Sequence, residues 1–351
     1  VIFKRFHQIS TRALAWRSWR GKPVKSEDQT GTKSQALLNR IGPGFFAAPM
    51  GLLGTAHVLH QLFQMEGTPF ETAAKGVFVI GGAVLLIVTL LYGARVFIIK
   101  GAVRADFSDP VKMNFGSAFG IALILLARGM ALYEIPYALE LLLAGSVISF
   151  GLAVLVMRQW IVLPFKSSDI SPAWFVPVVS TLVAAKALAD AGFVVSGALI
   201  GGLGFFGWLV LLPLVLRRLV VGEKLPPTLI PTLFILVAPA GLAANAALSL
   251  LPDPLALPLA LACFGSGLFF LAVLATLLPE FERAGFSVAI WSYTFPSAAM
   301  ASAGLALASA MGSAGFILLA HALAGLNIVL TTGVAVLAYR HIRKRKTVPA
   351  S

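Results

Sequence analysis

The chain has 351 residues, 58% hydrophobic and 12% charged, with a mean hydropathy of +0.91. Soluble domains carry about 25% charged residues, so a water-soluble globule of this size is excluded and most of the surface must face lipid. The net charge is +13. That excess sits in loops and tails, which makes it a topology signal rather than a sign of nucleic-acid binding.

Residues 1–40 form a separate basic tail. The stretch VIFKRFHQISTRALAWRSWRGK interleaves aromatic residues with Lys and Arg. It reads as an amphipathic helix on an anionic leaflet, as a disordered basic tail, or as an Arg-rich targeting presequence. Ser10, Thr11 and Ser26 are candidates for modification, and KSEDQTGTKSQ reads as a polar linker.

Residues 41–340 carry ten apolar segments, each about the 20 residues that span a bilayer. They are expected at 44–66, 76–99, 111–130, 132–157, 173–191, 193–216, 229–250, 254–278, 288–311 and 313–339. A second basic tail follows at 341–351. With the N-terminus inside and ten crossings, every Lys and Arg of the 27 except Lys75, Arg128 and Lys186 falls on the inner side. This satisfies the positive-inside rule and places both termini in the cytoplasm, in a plasma (inner) membrane.

Several features look like sites and read better as structure. Cys263 is the single cysteine, which excludes an internal disulfide and a multi-cysteine metal site. His57 and His60 lie three apart on the first segment without a third ligand, so packing or a hydrogen bond is the better reading than metal. GGLGFFG, Gly201–Gly207, contains a G-x-G-x-x-G match but has no strand before it. Its context favours close helix packing over a dinucleotide site. No nucleophile–base pair or metal constellation points to an enzyme, and no cofactor is called for.

The prolines are ordered. Pro49, Pro177, Pro239 and Pro296 all fall in the first half of odd-numbered segments. A helix-interior proline breaks a hydrogen bond and kinks the helix, at a cost of about 3 kcal/mol. Pro136, Pro213 and Pro258, in even segments, sit near helix ends. The third segment has no proline and offers Gly116 and Gly120 in NFGSAFG at that height. Counting Gly116 for the third, successive positions lie 57 to 67 residues apart, which reads as a helical hairpin repeated five times. The expected fold is all-α and integral to the membrane. Ten helices form five hairpins in a quasi-fivefold arrangement, with the odd helices as an inner ring around a pore. Irregular backbone at membrane depth is tolerated where it lines a cavity. The odd helices carry almost no mid-membrane charge. Lys112, Arg128 and Lys186 lie toward their ends, giving an uncharged conduit with cationic mouths that draws anions in and lets them leave.

The segments GPGFFAAPMGLL, DPVKMNFG, SPAWFVPVVS, LIPTLFILVAPAGLAANA and FERAGFSVAIWSYTFPSAAMAS resemble the tellurite-resistance/dicarboxylate transporter family, that of bacterial TehA and the slow anion channels of plant guard cells. The resemblance runs from about Gly42 to Tyr339. It implies a homotrimer in which each protomer has its own pore, lined by five kinked inner helices. It also implies that Phe295, in WSYTF, plugs the pore at its middle, with Pro296 bending the helix toward the axis. Pro49, Ala47, Gly116, Gly120, Pro177, Pro239, Gly241 and Pro296 are the expected pore-lining and kink positions. Ala47 stands where some relatives carry glycine, and its methyl would narrow the inner side.

Small monovalent anions such as chloride or nitrate are the expected cargo, with weakly hydrated ions passing best. The alternative is a proton-coupled carrier for C4-dicarboxylates or tellurium oxyanions, which needs intramembrane ionisable groups. Glu140 and Asp190 are the candidates for that role, although Glu140 also reads as a structural partner for Arg128.

Overall fold

The computed structural model describes residues 33–67 and 70–347. The readings of residues 1–32, including Ser10, Thr11 and Ser26, lie outside the described residues. The chain divides into two units, Val1–Arg40 and Ile41–Ser351. In the first, Lys33–Leu38 forms a short helix. In the second the described residues are helical and contain no strand.

The long helices are α1 (Ala47–Glu66), α2 (Phe70–Ile98), α3 (Ser117–Leu132), α4 (Ala138–Val162), α5 (Phe175–Asp190), α6 (Val194–Val221), α7 (Ala238–Leu250), α8 (Asp253–Thr276), α9 (Thr294–Met311) and α10 (Ala314–Thr347). Among the described residues nine helical spans are long and apolar enough to cross a membrane, and α1 is not one of them. It has the length, at 20 residues, but His57, His60, Gln61 and Gln64 dilute its apolar character.

Burial separates the helices by parity. In the spans containing α3, α5, α7 and α9, 56% to 94% of the most apolar stretch is buried, against 22% to 33% in α2, α4, α6, α8 and α10. Each odd helix packs on the even helix that follows it. The odd helices also pack on one another in a closed cycle, α1 on α3, α3 on α5, α5 on α7, α7 on α9 and α9 on α1. The even helices present their apolar side chains outward, with Phe97, Val220 and Ile161 among the most exposed. Such faces are at home only in lipid.

Pro49, Pro177, Pro239 and Pro296 do not sit in helix interiors. A tight 3₁₀ segment precedes four of the buried helices: Pro43–Phe46 before α1, Pro172–Trp174 before α5, Pro227–Val237 before α7 and Val288–Tyr293 before α9. Pro49, Pro177, Pro239 and Pro296 are then the second or third residue of the α-helix proper. There the missing N–H has no α-helical partner to lose, so proline is tolerated and its φ suits the turn. Before α3 the same handover runs from the short helix Lys112–Phe115 through Gly116.

Other boundaries differ from the sequence reading for local reasons. α2 begins at Phe70, because Glu71 and Lys75 form an i,i+4 ion pair at 2.5 Å and extend it. α4 begins at Ala138, after a turn in which Glu134 and Tyr137 take positive φ beside Pro136. Pro136 therefore lies outside any helix, whereas Pro213 and Pro258 lie inside α6 and α8. The glycines of α6 pack on α5 as their spacing suggests. A methyl on Gly204 would meet Leu182 and Thr181 at 2.7 Å, and one on Gly201 the Ala185 Cβ at 3.1 Å.

Candidate functional site, a cavity shared by five helices

The closed cycle of odd helices encloses a cavity of about 40 Å³. A void of that size holds a few waters or one small ion, since a single water needs roughly 10–15 Å³ by the same measure. Every helix of the cycle contributes to the wall, and each does so with residues three apart. α1 gives Gly54 and His57, α3 gives Leu125 and Arg128, α5 gives Val183 and Lys186, and α7 gives Leu242 and Asn245. α9 gives Phe295 and Ala298, then Ala299 and Ser302. An i,i+3 pair shares one helix face, so four of the helices turn one apolar or small residue and one polar residue to the same space, and α9 turns three apolar residues and one polar residue to it.

Phe295 is 3% exposed and packs toward α1, where Gly54 makes room for it. A methyl at Gly54 would lie 3.3 Å from Phe295 Cδ2 and 3.2 Å from Ala298 Cβ. Hydrogen bonds hold the surrounding backbone from both sides. From α10, Asn327 Nδ2 donates to the Thr294 carbonyl at 3.0 Å and to Ser297 Oγ at 2.9 Å. From α7, Asn245 Nδ2 donates to the Gly241 carbonyl at 3.0 Å and the Ala299 carbonyl at 3.3 Å. Ser302 Oγ donates to Asn245 Oδ1 at 3.4 Å. Ser297 Oγ donates to the Tyr293 carbonyl at 2.8 Å. Buried amide and hydroxyl groups are costly unless satisfied, so these bonds tie the start of α9 to its neighbours.

The polar members of the wall differ in kind. His57 Nε2–H donates to the Leu125 carbonyl at 2.8 Å, which fixes the ring between α1 and α3. Arg128 and Lys186 supply positive charge, and both reach Asp190, at 2.9 Å and 3.1 Å. Arg128 is thus paired with Asp190, and Glu140, on the exposed first turn of α4, is not that partner. Among the described residues no group of three or more His, Cys, Asp or Glu is placed to hold a metal.

Of the sequence candidates, Phe295, Arg128 and Lys186 come together in this cavity. The four prolines, Ala47, Gly116, Gly120, Gly241 and Lys112 do not line it. Gly120 faces outward, where an added methyl would lie 2.3 Å from Ser149 Oγ of α4. Gly241 allows α7 to approach the α9 backbone, an added methyl lying 2.8 Å from the Ala299 carbonyl. Ala47 is buried in the core at 1% exposure. Lys112 lies exposed beside Asp109, 3.6 Å away. Gly54, Asn245 and Ser302 were not legible as wall residues, and His57 was read for packing or a hydrogen bond, which it makes, but not as part of a cavity wall. The signal that finds them is the apolar–polar i,i+3 step, repeated on five helices.

A lipid-facing helical bundle with a small, cation-bearing cavity between buried helices defines an integral membrane protein with the architecture of a channel or transporter. Residues 40–339 match the family model described as voltage-dependent anion channel, SLAC1, and the chain belongs to that family. Among curated proteins it is 26% identical over 267 residues to the tellurite resistance protein TehA homolog of Haemophilus influenzae, covering 75% of this chain and 80% of that one. It is 26% identical over 290 residues to the S-type anion channel SLAH3 of Arabidopsis thaliana, covering 80% of this chain and 45% of the plant protein. The S-type anion channel SLAH2 is 30% identical over 224 residues, covering 62% of this chain and 42% of its own length. The chain thus spans less than half of the two plant channels it matches.

Proposed function

We propose that the protein is an anion channel that passes small monovalent anions such as chloride and nitrate through each protomer. In this reading all ten long helices cross the membrane as five hairpins in quasi-fivefold order, α1 included. The odd helices form the inner ring and Phe295 is the gate. The protomers assemble as a homotrimer in a plasma membrane with both termini in the cytoplasm. The observation that carries it is the cavity itself, with one face from each odd helix and a phenylalanine and two cations in its wall. A lumen with positive wall groups and no ring of fixed negative charge favours anions, and weak binding lets them leave. α1 is less apolar than the others in part because His57 faces α3 and donates to its Leu125 carbonyl.

A proton-coupled carrier for dicarboxylates or tellurium oxyanions is the second reading. The relative named for tellurite resistance favours it. Reversal potentials of the purified protein in planar bilayers separate the two. A channel's reversal potential follows the anion gradient and does not move when only the pH gradient is changed. A shift with the proton gradient at fixed anion gradient overturns the channel.

A further inference from the structure

The two cations of the cavity wall converge on one carboxylate that lies outside the wall. Asp190 is the last residue of α5, and its side chain is 35% exposed. Arg128 Nη2, from α3, donates to Asp190 Oδ2 at 2.9 Å. Lys186 Nζ donates to Oδ2 at 3.1 Å and Oδ1 at 3.3 Å. Ser249 Oγ, from α7, donates to Oδ1 at 3.0 Å and accepts from Lys186 Nζ at 3.0 Å. One carboxylate therefore ties three helices of the cycle together and neutralises one of two positive charges, leaving the cluster a formal charge of +1.

We propose that Asp190 is a specificity-determining residue that sets the valence preference of this mouth, holding its charge at the value that suits a monovalent anion. The proposal rests on the anion-channel reading. Coulomb energy is linear in the charge of the ion, so each unit of wall charge acts twice as strongly on sulfate as on chloride. A divalent anion also loses far more hydration on entering, and a single net charge does not compensate that loss. Removing the carboxylate doubles the net charge and releases both cations from a partner that competes with the ion for their donors.

The test compares wild type, Asp190→Asn and Asp190→Glu in planar bilayers, with chloride and sulfate at matched ionic strength. If Asp190→Asn raises chloride conductance about threefold, the linear dependence on charge carries sulfate up about ninefold, so the sulfate-to-chloride ratio rises about threefold. Asp190→Glu, which keeps the charge, stays near the wild-type ratio. Lys186→Gln moves the ratio the other way and does not depend on Asp190→Asn folding. An unchanged ratio in either charge variant, or an equal shift in Asp190→Glu, overturns the proposal. A wild type that passes neither anion refutes the channel reading instead. Asp190 is then judged by thermal-shift titration of the purified protein with chloride and sulfate, where the same ordering is expected and its absence overturns the proposal.

Discussion

Phe295 is one of 25 phenylalanines, and Gly54 is what sets it apart. Its ring packs where the facing helix lacks a side chain, a methyl on Gly54 lying 3.3 Å from Phe295 Cδ2, and it lines the cavity there. Truncating a buried phenylalanine to alanine costs about 3–5 kcal/mol, so Phe295→Ala is expected to lower thermal stability. On the gate reading it also raises anion conductance severalfold, measured per molecule reconstituted. A ring that only packs gives the stability loss without the gain in current. The WSYTF segment singled out Phe295 in the sequence. Gly54 was hidden, because its role is to be absent beside a side chain on another helix, and a single sequence does not show which helices face each other. The cations Arg128 and Lys186 were legible as exceptions to the charge bias. Their shared partner was not, because Asp190 lies 62 positions from Arg128.

At the scale of elements, the same four prolines read differently in sequence and in structure. Their depth and parity were visible in the chain. That each follows a 3₁₀ segment and starts an α-helix was not, because an apolar run has the same hydropathy whether it winds with three residues per turn or 3.6. The connection between α2 and α3 shows another arrangement that composition conceals. Arg95 and Asp106, 5% and 2% exposed, form a bidentate pair at 2.5 Å and 3.1 Å, and Tyr92 donates to the same carboxylate at 3.0 Å. The pair clasps the short helix Ala102–Ser108 against the end of α2. Read as loop charge alone, Arg95 is an orientation signal, whereas its surroundings make it a structural one. Asp106→Asn leaves a buried guanidinium without its counter-charge and should lower stability by about 3–5 kcal/mol. Glu280→Gln, which loosens the exposed pair of Arg283 and Glu280, should cost less than about 1 kcal/mol. Thermal unfolding in detergent reads both.

For the whole molecule, the apolar exterior of the even helices is the surface on which a proposed trimer would have to form. If protomers assemble in threes, native mass spectrometry of the detergent-extracted protein should give a species of three times 37.0 kDa, and dilution should not dissociate it readily. A single 37.0 kDa species with intact anion flux would place the complete conduit in the monomer and remove the trimer from the account. A basic N-terminal piece and a large apolar body are expected from composition, because the two differ in charge and apolar content over long stretches. Nine of the ten apolar segments were equally legible. The first, read as a span at 44–66, forms a 20-residue helix that is not apolar enough to count among the nine, since His57, His60, Gln61 and Gln64 lower its hydropathy.

The cavity wall is made by five different helices of one polypeptide. In a pore built from identical subunits, one substitution is repeated around the axis by symmetry, and its electrostatic effect is multiplied with it. Here a change at position 57, 128, 186, 245 or 302 alters one sector alone. On the anion-channel reading, ion preference can therefore drift through single unit steps in evolution, and an engineer can place one positive, one neutral and one titrating group around the same cavity without building a hetero-oligomer.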